Sequence, residues 1–265
     1  MASVSNEPPT TQPDEGDITK KIELLQRAEE DVRRLQDELI DAAAFTRKPT
    51  LAAMREAILE GLGEGEGVEA SIALVPLAEV LGELEGPEVC DLLIDILSSD
   101  EPEVRLCAGR ALQDLAFDRF KEVAEATERA VTRLPHDSHS LRELPFVIGE
   151  VGEPGAAKIL RGYLAHKDPE VVASAIEALA ASGDPSAVSE LRKLARDPRT
   201  VQIEDEGAEG QVSLGALVSE ALSILEGTPS PNAGPPPKGP PPKGPPPGPR
   251  GQPPQPPQGR GGRRR

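Results

Sequence analysis

Aromatic side chains are almost missing from this chain: of 265 residues, four are Phe, one is Tyr and none is Trp. Sheet-rich domains draw on aromatic and β-branched residues to fill a pleated surface, so the composition argues against a β fold. Ala, Leu, Glu and Arg dominate instead, a set that suits helices packed closely through small side chains. Cysteine is as scarce. Cys90 and Cys107 form neither a metal nor a redox spacing. Both fall among apolar residues of predicted helices and read as small buried hydrophobes of a reducing compartment. No apolar run approaches ~18 residues, so no membrane span is expected. Residues 1–16 are polar, carry Pro8, Pro9 and Pro13, and lack the apolar stretch of a secretion signal. Cytoplasmic residence is the expectation.

Acid is missing after Glu226. Beyond it lie Lys238, Lys243, Arg250, Arg260, Arg263, Arg264 and Arg265. That segment carries +7 against −17 for the whole chain, which leaves −24 on the rest. An acidic body repels phosphate backbones, whereas a basic segment attracts anionic partners.

A catalytic constellation is also missing. His136 and His139 stand three apart, and no Cys or third His lies nearby to complete a metal site. They read as turn and cap residues, and His166 falls in a predicted turn between helices. Carboxylates are abundant, but general acid–base work needs neighbouring acids whose surroundings push their pKa values apart. The Gly-rich stretch 64–67 lacks the Lys-Ser/Thr of a phosphate loop. No cofactor, metal or enzymatic activity is expected.

What the chain does hold is an internal repeat. Pro102, Val104, Ala108 and Leu112 recur as Pro169, Val171, Ala175 and Leu179 at one offset of 67, about two units of ~33 residues. A second echo lies in the joints. Ile148-Gly149-Glu150-Val151-Gly152-Glu153-Pro154 resembles Leu179-Ala180-Ala181-Ser182-Gly183-Asp184-Pro185 at an interval of 31. Gly closes a helix in the left-handed region, the acid caps the next helix, and Pro suits its first turn.

Residues 1–16 therefore read as disordered. Residues 17–48 read as one amphipathic helix capped by Asp17, with Ile18, Ile22, Leu25, Val32, Leu35, Leu39 and Ala42 on one stripe. Glu29 and Gln36 interrupt that stripe. The helix either caps the first repeat or serves self-association, and Pro49 ends the connection. About five helix pairs fill 49–227: 50–85 (broken by Gly61, Gly63, Gly65 and Gly67), 87–116, 118–151 (turning at 135–138, with Asp137 or Ser138 as cap), 153–182 and 184–226. An insertion at 197–211 reads as a solvated loop, with an acidic binding loop as the sharper alternative. No sheet is expected anywhere between 87 and 226.

Asp168, Pro169, Val171, Ala175, Ala178, Leu179, Gly183, Asp184, Pro185, Ala187, Val188 and Leu191 resemble HEAT-type repeats of the phycobilisome-lyase class. Residues 100–112 match the front half of the same pattern. The resemblance implies an all-α fold, a right-handed α-solenoid of HEAT-like helix pairs whose second helices line a concave face. It also implies one enzymatic alternative, a bilin-lyase-like enzyme or chaperone acting on a protein-linked tetrapyrrole. Such repeats host many unrelated functions.

Val104, Ala108, Leu112, Ile148, Val171, Ala175 and Leu179 are expected in one continuous core. Glu103, Arg105, Arg110, Gln113, Glu170, Ser174 and Glu177 are expected on the partner face. From residue 228 the chain turns proline-rich and reads as disordered: Pro235, Pro236, Pro237 and Lys238, then Pro240, Pro241, Pro242 and Lys243, then Pro245, Pro246, Pro247, Gly248 and Arg250. Such runs sample polyproline II and suit the aromatic groove of an SH3-, WW- or GYF-type reader; a plain spacer is the alternative. The end, 258–265, resembles a short Arg-Gly segment that binds RNA or other anions, with a solubilising terminus as the alternative. Together these features predict a non-catalytic scaffold or adaptor, of the kind found in bacterial signalling or polarity assemblies.

Overall fold

The computed structural model describes residues 15–63, 73–205 and 208–227. The readings made for 1–14, Gly65, Gly67 and the whole of 228–265 lie outside the described residues. Within them the fold is an all-α solenoid. Its helices are α1 (Glu15–Phe45), α2 (Arg47–Gly61), α3 (Leu74–Gly82), α4 (Pro87–Ile96), α5 (Pro102–Arg133), α6 (His139–Glu150), α7 (Ala156–Tyr163), α8 (Pro169–Ser182), α9 (Val188–Leu191) and α10 (Leu214–Leu225).

The punctuation of the sequence sets most of these boundaries. Asp168 accepts the Glu170 N–H at 2.9 Å and opens α8. Gly183 closes α8 at φ 66°, where a Cβ would be strained. Asp184 then accepts the Ser186 N–H at 2.8 Å and starts the next turn.

The helices form two rows. One holds α2, α4, the second half of α5, α7 and the short turns around α9; the other holds α3, the first half of α5, α6, α8 and α10. Ion pairs and hydrogen bonds tie the first row from rung to rung. Arg55 lies 3.7 Å from Asp95, Arg133 also pairs with Asp95, and Arg129 reaches Asp91 at 3.1 Å. Tyr163 Oη donates to the Thr127 carbonyl at 3.3 Å. Small residues join the second row. A Cβ on Gly149 would stand 3.3 Å from that of Ala178, and one on Gly82 would stand 3.4 Å from that of Ala111. Between the rows runs one apolar cluster from Ala43 to Ala221. Val104, Ala108, Leu112, Ile148, Val171, Ala175 and Leu179 are all buried in it.

Four expectations need correction. α1 ends at Phe45 rather than near 48, and Pro49 sits in the first turn of α2, where its missing N–H costs nothing. Asp17 lies inside α1, which begins at Glu15. The break expected between 116 and 118 lies at Arg119, and it is a kink that joins the two helical halves of α5 directly, at φ −137° and ψ 49°. The Arg119 side chain donates to the Leu84 carbonyl at 2.8 Å and so anchors the bend. α5 thus crosses from one row to the other without a loop.

The fourth correction concerns the insertion. Residues expected as a loop form an antiparallel hairpin, β1 (Thr200–Asp205) with β2 (Ala208–Ser213), paired from Thr200↔Ser213 to Asp205↔Ala208. The exclusion of any sheet between 87 and 226 therefore fails at this hairpin. Val201 is buried and pairs with Val212, so the strand has an apolar face to seat on the helices. Arg199 holds the base of the hairpin: it pairs with Asp197 at 2.8 Å and donates to the His166 carbonyl at 2.9 Å. The helical spine continues on both sides, from α8 to α10.

Candidate protein-binding surface

The second row presents its outer face as ridges and grooves. The first half of α5 makes the central ridge, with Leu106 and Arg110 at its crest. Val104, Ala108 and Leu112 point into the core, so Leu106, two residues out of step, points away from it and is 55% exposed. On one side a groove of about 480 Å³ separates α5 from α3; Glu79, Glu83, Glu103 and Asp114 flank an apolar strip of Val75, Leu106 and Ala111. On the other a groove of about 380 Å³ separates α5 from α6, floored by Leu106, Gly109, Phe146 and Val147. Arg105 and Arg110 face Glu143 and Glu150 across it. A third groove, of about 340 Å³, lies between α8 and α10, where Ile176, Leu217 and Ile224 meet Glu177 and Glu220. Burial raises the Glu177 carboxyl above its usual range, and the Glu220 and Glu170 charges add to the rise.

Four of the sequence-predicted residues come together here. Glu103, Arg105, Arg110 and Gln113 line the two grooves beside the α5 ridge, and Glu177 lines the third. Their duties differ. Arg105 donates to the carbonyls of Ser99 and Asp100, both at 2.8 Å, so it clamps the turn that feeds α5. Gln113 donates to Glu150 and staples α5 to α6. Arg110 and Glu103 are exposed. Two further residues expected on the face, Glu170 and Ser174, do not line these grooves. Glu170 accepts the Gln202 N–H at 3.3 Å and serves the hairpin, and Ser174 donates to the Glu170 carbonyl of its own helix at 3.1 Å. The proline and basic positions from Pro235 to Arg250 lie outside the described residues.

Sequence reasoning missed the apolar floor. Leu106 and Phe146 supply it, and both fall off the buried stripe of their helices. The signal was an aliphatic residue and one of only four Phe at positions that periodicity assigns to solvent.

The histidines make no metal cluster. His136 stacks edge-on to His166 with ring centroids 5.3 Å apart, whereas His139 turns to Asp100 at 3.3 Å. Among the described residues, no group of three or more His, Cys, Asp or Glu is placed to hold a metal ion. Cys90 is buried, which pushes its thiol up to about 11; Cys107 is half-buried at the edge of the α3–α5 groove, and burial raises its thiol too.

The family model described as HEAT repeats matches residues 141–204, from α6 into β1. The match supports a HEAT-repeat protein. HEAT repeats are generally protein-interaction scaffolds, which suits grooves lined by apolar floors and charged rims. The phycobilisome-lyase-type subclass implied by the sequence pattern is not part of that match. Three solved structures of engineered proteins are similar to the chain. The first is 20% identical with a TM-score of 0.31 and covers 72% of this chain and 96% of its own. The second is 18% identical at 0.32, with 73% and 58% covered. The third is 19% identical at 0.30, with 72% and 98% covered. The comparison with curated proteins gives no match. Among the described residues, no helix is long and apolar enough to cross a membrane.

Proposed function

We propose that this chain is a non-catalytic adaptor. Its HEAT-like body seats one protein partner across the α5 ridge, and its polyproline segment recruits a second through an SH3-, WW- or GYF-type module. The observation that supports the first half is the pair of grooves beside α5. Leu106 and Phe146 are exposed there, and large apolar side chains ringed by charge mark surfaces that lose water to a partner. Carboxylates outnumber guanidinium groups around the α3–α5 groove. A partner segment of aliphatic residues flanked by Lys or Arg complements it. The second half is supported by three tandem proline runs with flanking Lys and Arg, which raise the effective concentration of any one site. A signalling or polarity assembly is a setting in which such bridging would serve.

The test is a pulldown with the full chain, with a version ending at 227, and with Leu106→Asp plus Phe146→Asp. Two separate sets of partners should drop out, one with the tail and one with the paired substitution. Partners that survive both changes would defeat the reading. Cys107 gives an internal readout: alkylation of its half-exposed thiol should slow when the α3–α5 groove is occupied.

A further inference from the structure

α1 leaves the body as an arm. Its last turns are seated: Leu39 and Ile40 pack on the core, Ala43 is buried, and Gln36 donates to Pro76 O at 3.3 Å and to Glu79 at 2.6 Å. From Ile18 to Leu35 every residue is exposed. That is about five turns of helix, a length that is marginal in water without a partner. Yet the arm carries an apolar seam, interrupted at Glu29. Ile18, Ile22, Leu25 and Val32 follow a heptad spacing, and Leu39 and Ala43 continue it onto the body. Ile22 is 54% exposed and Leu25 64%. Glu29 is the polar residue within the free part of the seam.

Charge selects the occupant. Residues 18–35 hold Lys20, Lys21, Arg27, Arg33 and Arg34 against Glu23, Glu29, Glu30 and Asp31, a net of +1 on a chain of −17. Two copies of so acidic a body repel, and they meet at least electrostatic cost through this arm. The direction of pairing follows from the same residues. A parallel, in-register pair stacks Glu29 on Glu29 of the second copy and brings both acidic bodies to one end. An antiparallel pair centred between Leu25 and Glu29 sets Ile22 against Val32 and Glu29 against Leu25 of the second copy, about one turn from its Lys21, and so moves the two Glu29 carboxylates apart by about 6 Å along the axis. It also leaves the bodies at opposite ends of the arm, where screening separates them.

We propose that residues 18–35 of α1 pair antiparallel with the same segment of a second copy, making the chain a homodimer. Two groove sets, one at each end, then belong to one particle, and a partner carrying two binding segments gains by avidity.

Sedimentation equilibrium of the full chain over a concentration series should return twice 28.0 kDa. Leu25→Asp with Val32→Asp should return 28.0 kDa while the thermal unfolding of the body stays unchanged, because these side chains stand outside the core. Glu29→Lys should weaken the dimer about tenfold, and adding Lys21→Glu should restore it. With Cys107 replaced by Ser, Ala28→Cys should form a disulfide between copies and Ile22→Cys should not. A monomer at every concentration overturns the proposal. So does cross-linking through Ile22→Cys in place of Ala28→Cys, and so does an arm that pairs only after a different protein is added.

Discussion

His166 shows how one side chain's surroundings set its response to acid. Its ring is buried, and Nδ1 accepts the Asp168 N–H at 3.2 Å, so the ring sits in its neutral form. Burial holds its pKa below the ordinary 6.5, with His136 and Lys167 pushing the same way and Asp168 opposing them. A folded-state pKa below the unfolded one means that the unfolded chain binds the proton first as pH falls. The stability is therefore complete above 6.5 and declines below it. Thermal unfolding between about pH 7 and about pH 5 should show a shallower slope for His166→Asn, which keeps an acceptor but cannot charge. A slope equal to that of the wild type would assign the acid response elsewhere. Gly183 is the other residue with little freedom to change. Its φ of 66° costs an L side chain about 1 kcal/mol, so Gly183→Ala should lower the free energy of unfolding by that amount, read by chemical denaturation.

At the level of elements, α6 packs closely against α8. A methyl group added at Gly149 would press on the Ala178 Cβ at 3.3 Å. Ala178→Leu should overpack this joint and cost about 1–3 kcal/mol, read by chemical unfolding. Elements of this sort were legible because their boundaries are written locally: Pro, Gly and a capping acid mark α8 and the turn after it. The boundary near Arg119 was legible, but its form, a kink without a loop, was not. Phe117-Asp118-Arg119 holds no Pro or Gly, and the bend is anchored by a bond to Leu84, 35 residues away. The hairpin escaped for a similar reason. Its residues are rich in Glu and Gly, and its seat depends on Val201 burial and on Glu170 and Arg199 reaching other segments. The candidate surface was legible in part. Periodicity picks out exposed positions such as Glu103 and Arg110. It cannot tell that Arg105 is committed to the Ser99 and Asp100 carbonyls, because that commitment lives in the turn geometry.

For the molecule as a whole, net charge and a single spine govern behaviour. The segment ahead of the basic tail carries −24, so like charges crowd a narrow core. Raising ionic strength from low values to about 0.15 M should raise the melting temperature, since screening acts on repulsion first; a fall would show that attractive pairs such as Arg133–Asp95 dominate. Units of a solenoid also lean on their neighbours. Ending the chain at 182 would strip α10 from α8 and bare Ile176 and Ala180, and loss of solubility or of cooperative melting should follow. Each helical half of α5 imposes a different constraint, one of phasing. Each residue of a helix advances the chain by about 100°. A single amino acid gained or lost near Ala108 would therefore rotate the rest of that half and turn Leu112 and Leu115 toward water. The same change between Val151 and Gly155 would merely lengthen a connection. Natural length variants of this protein should accordingly cluster at its turns and spare the two helical halves of α5.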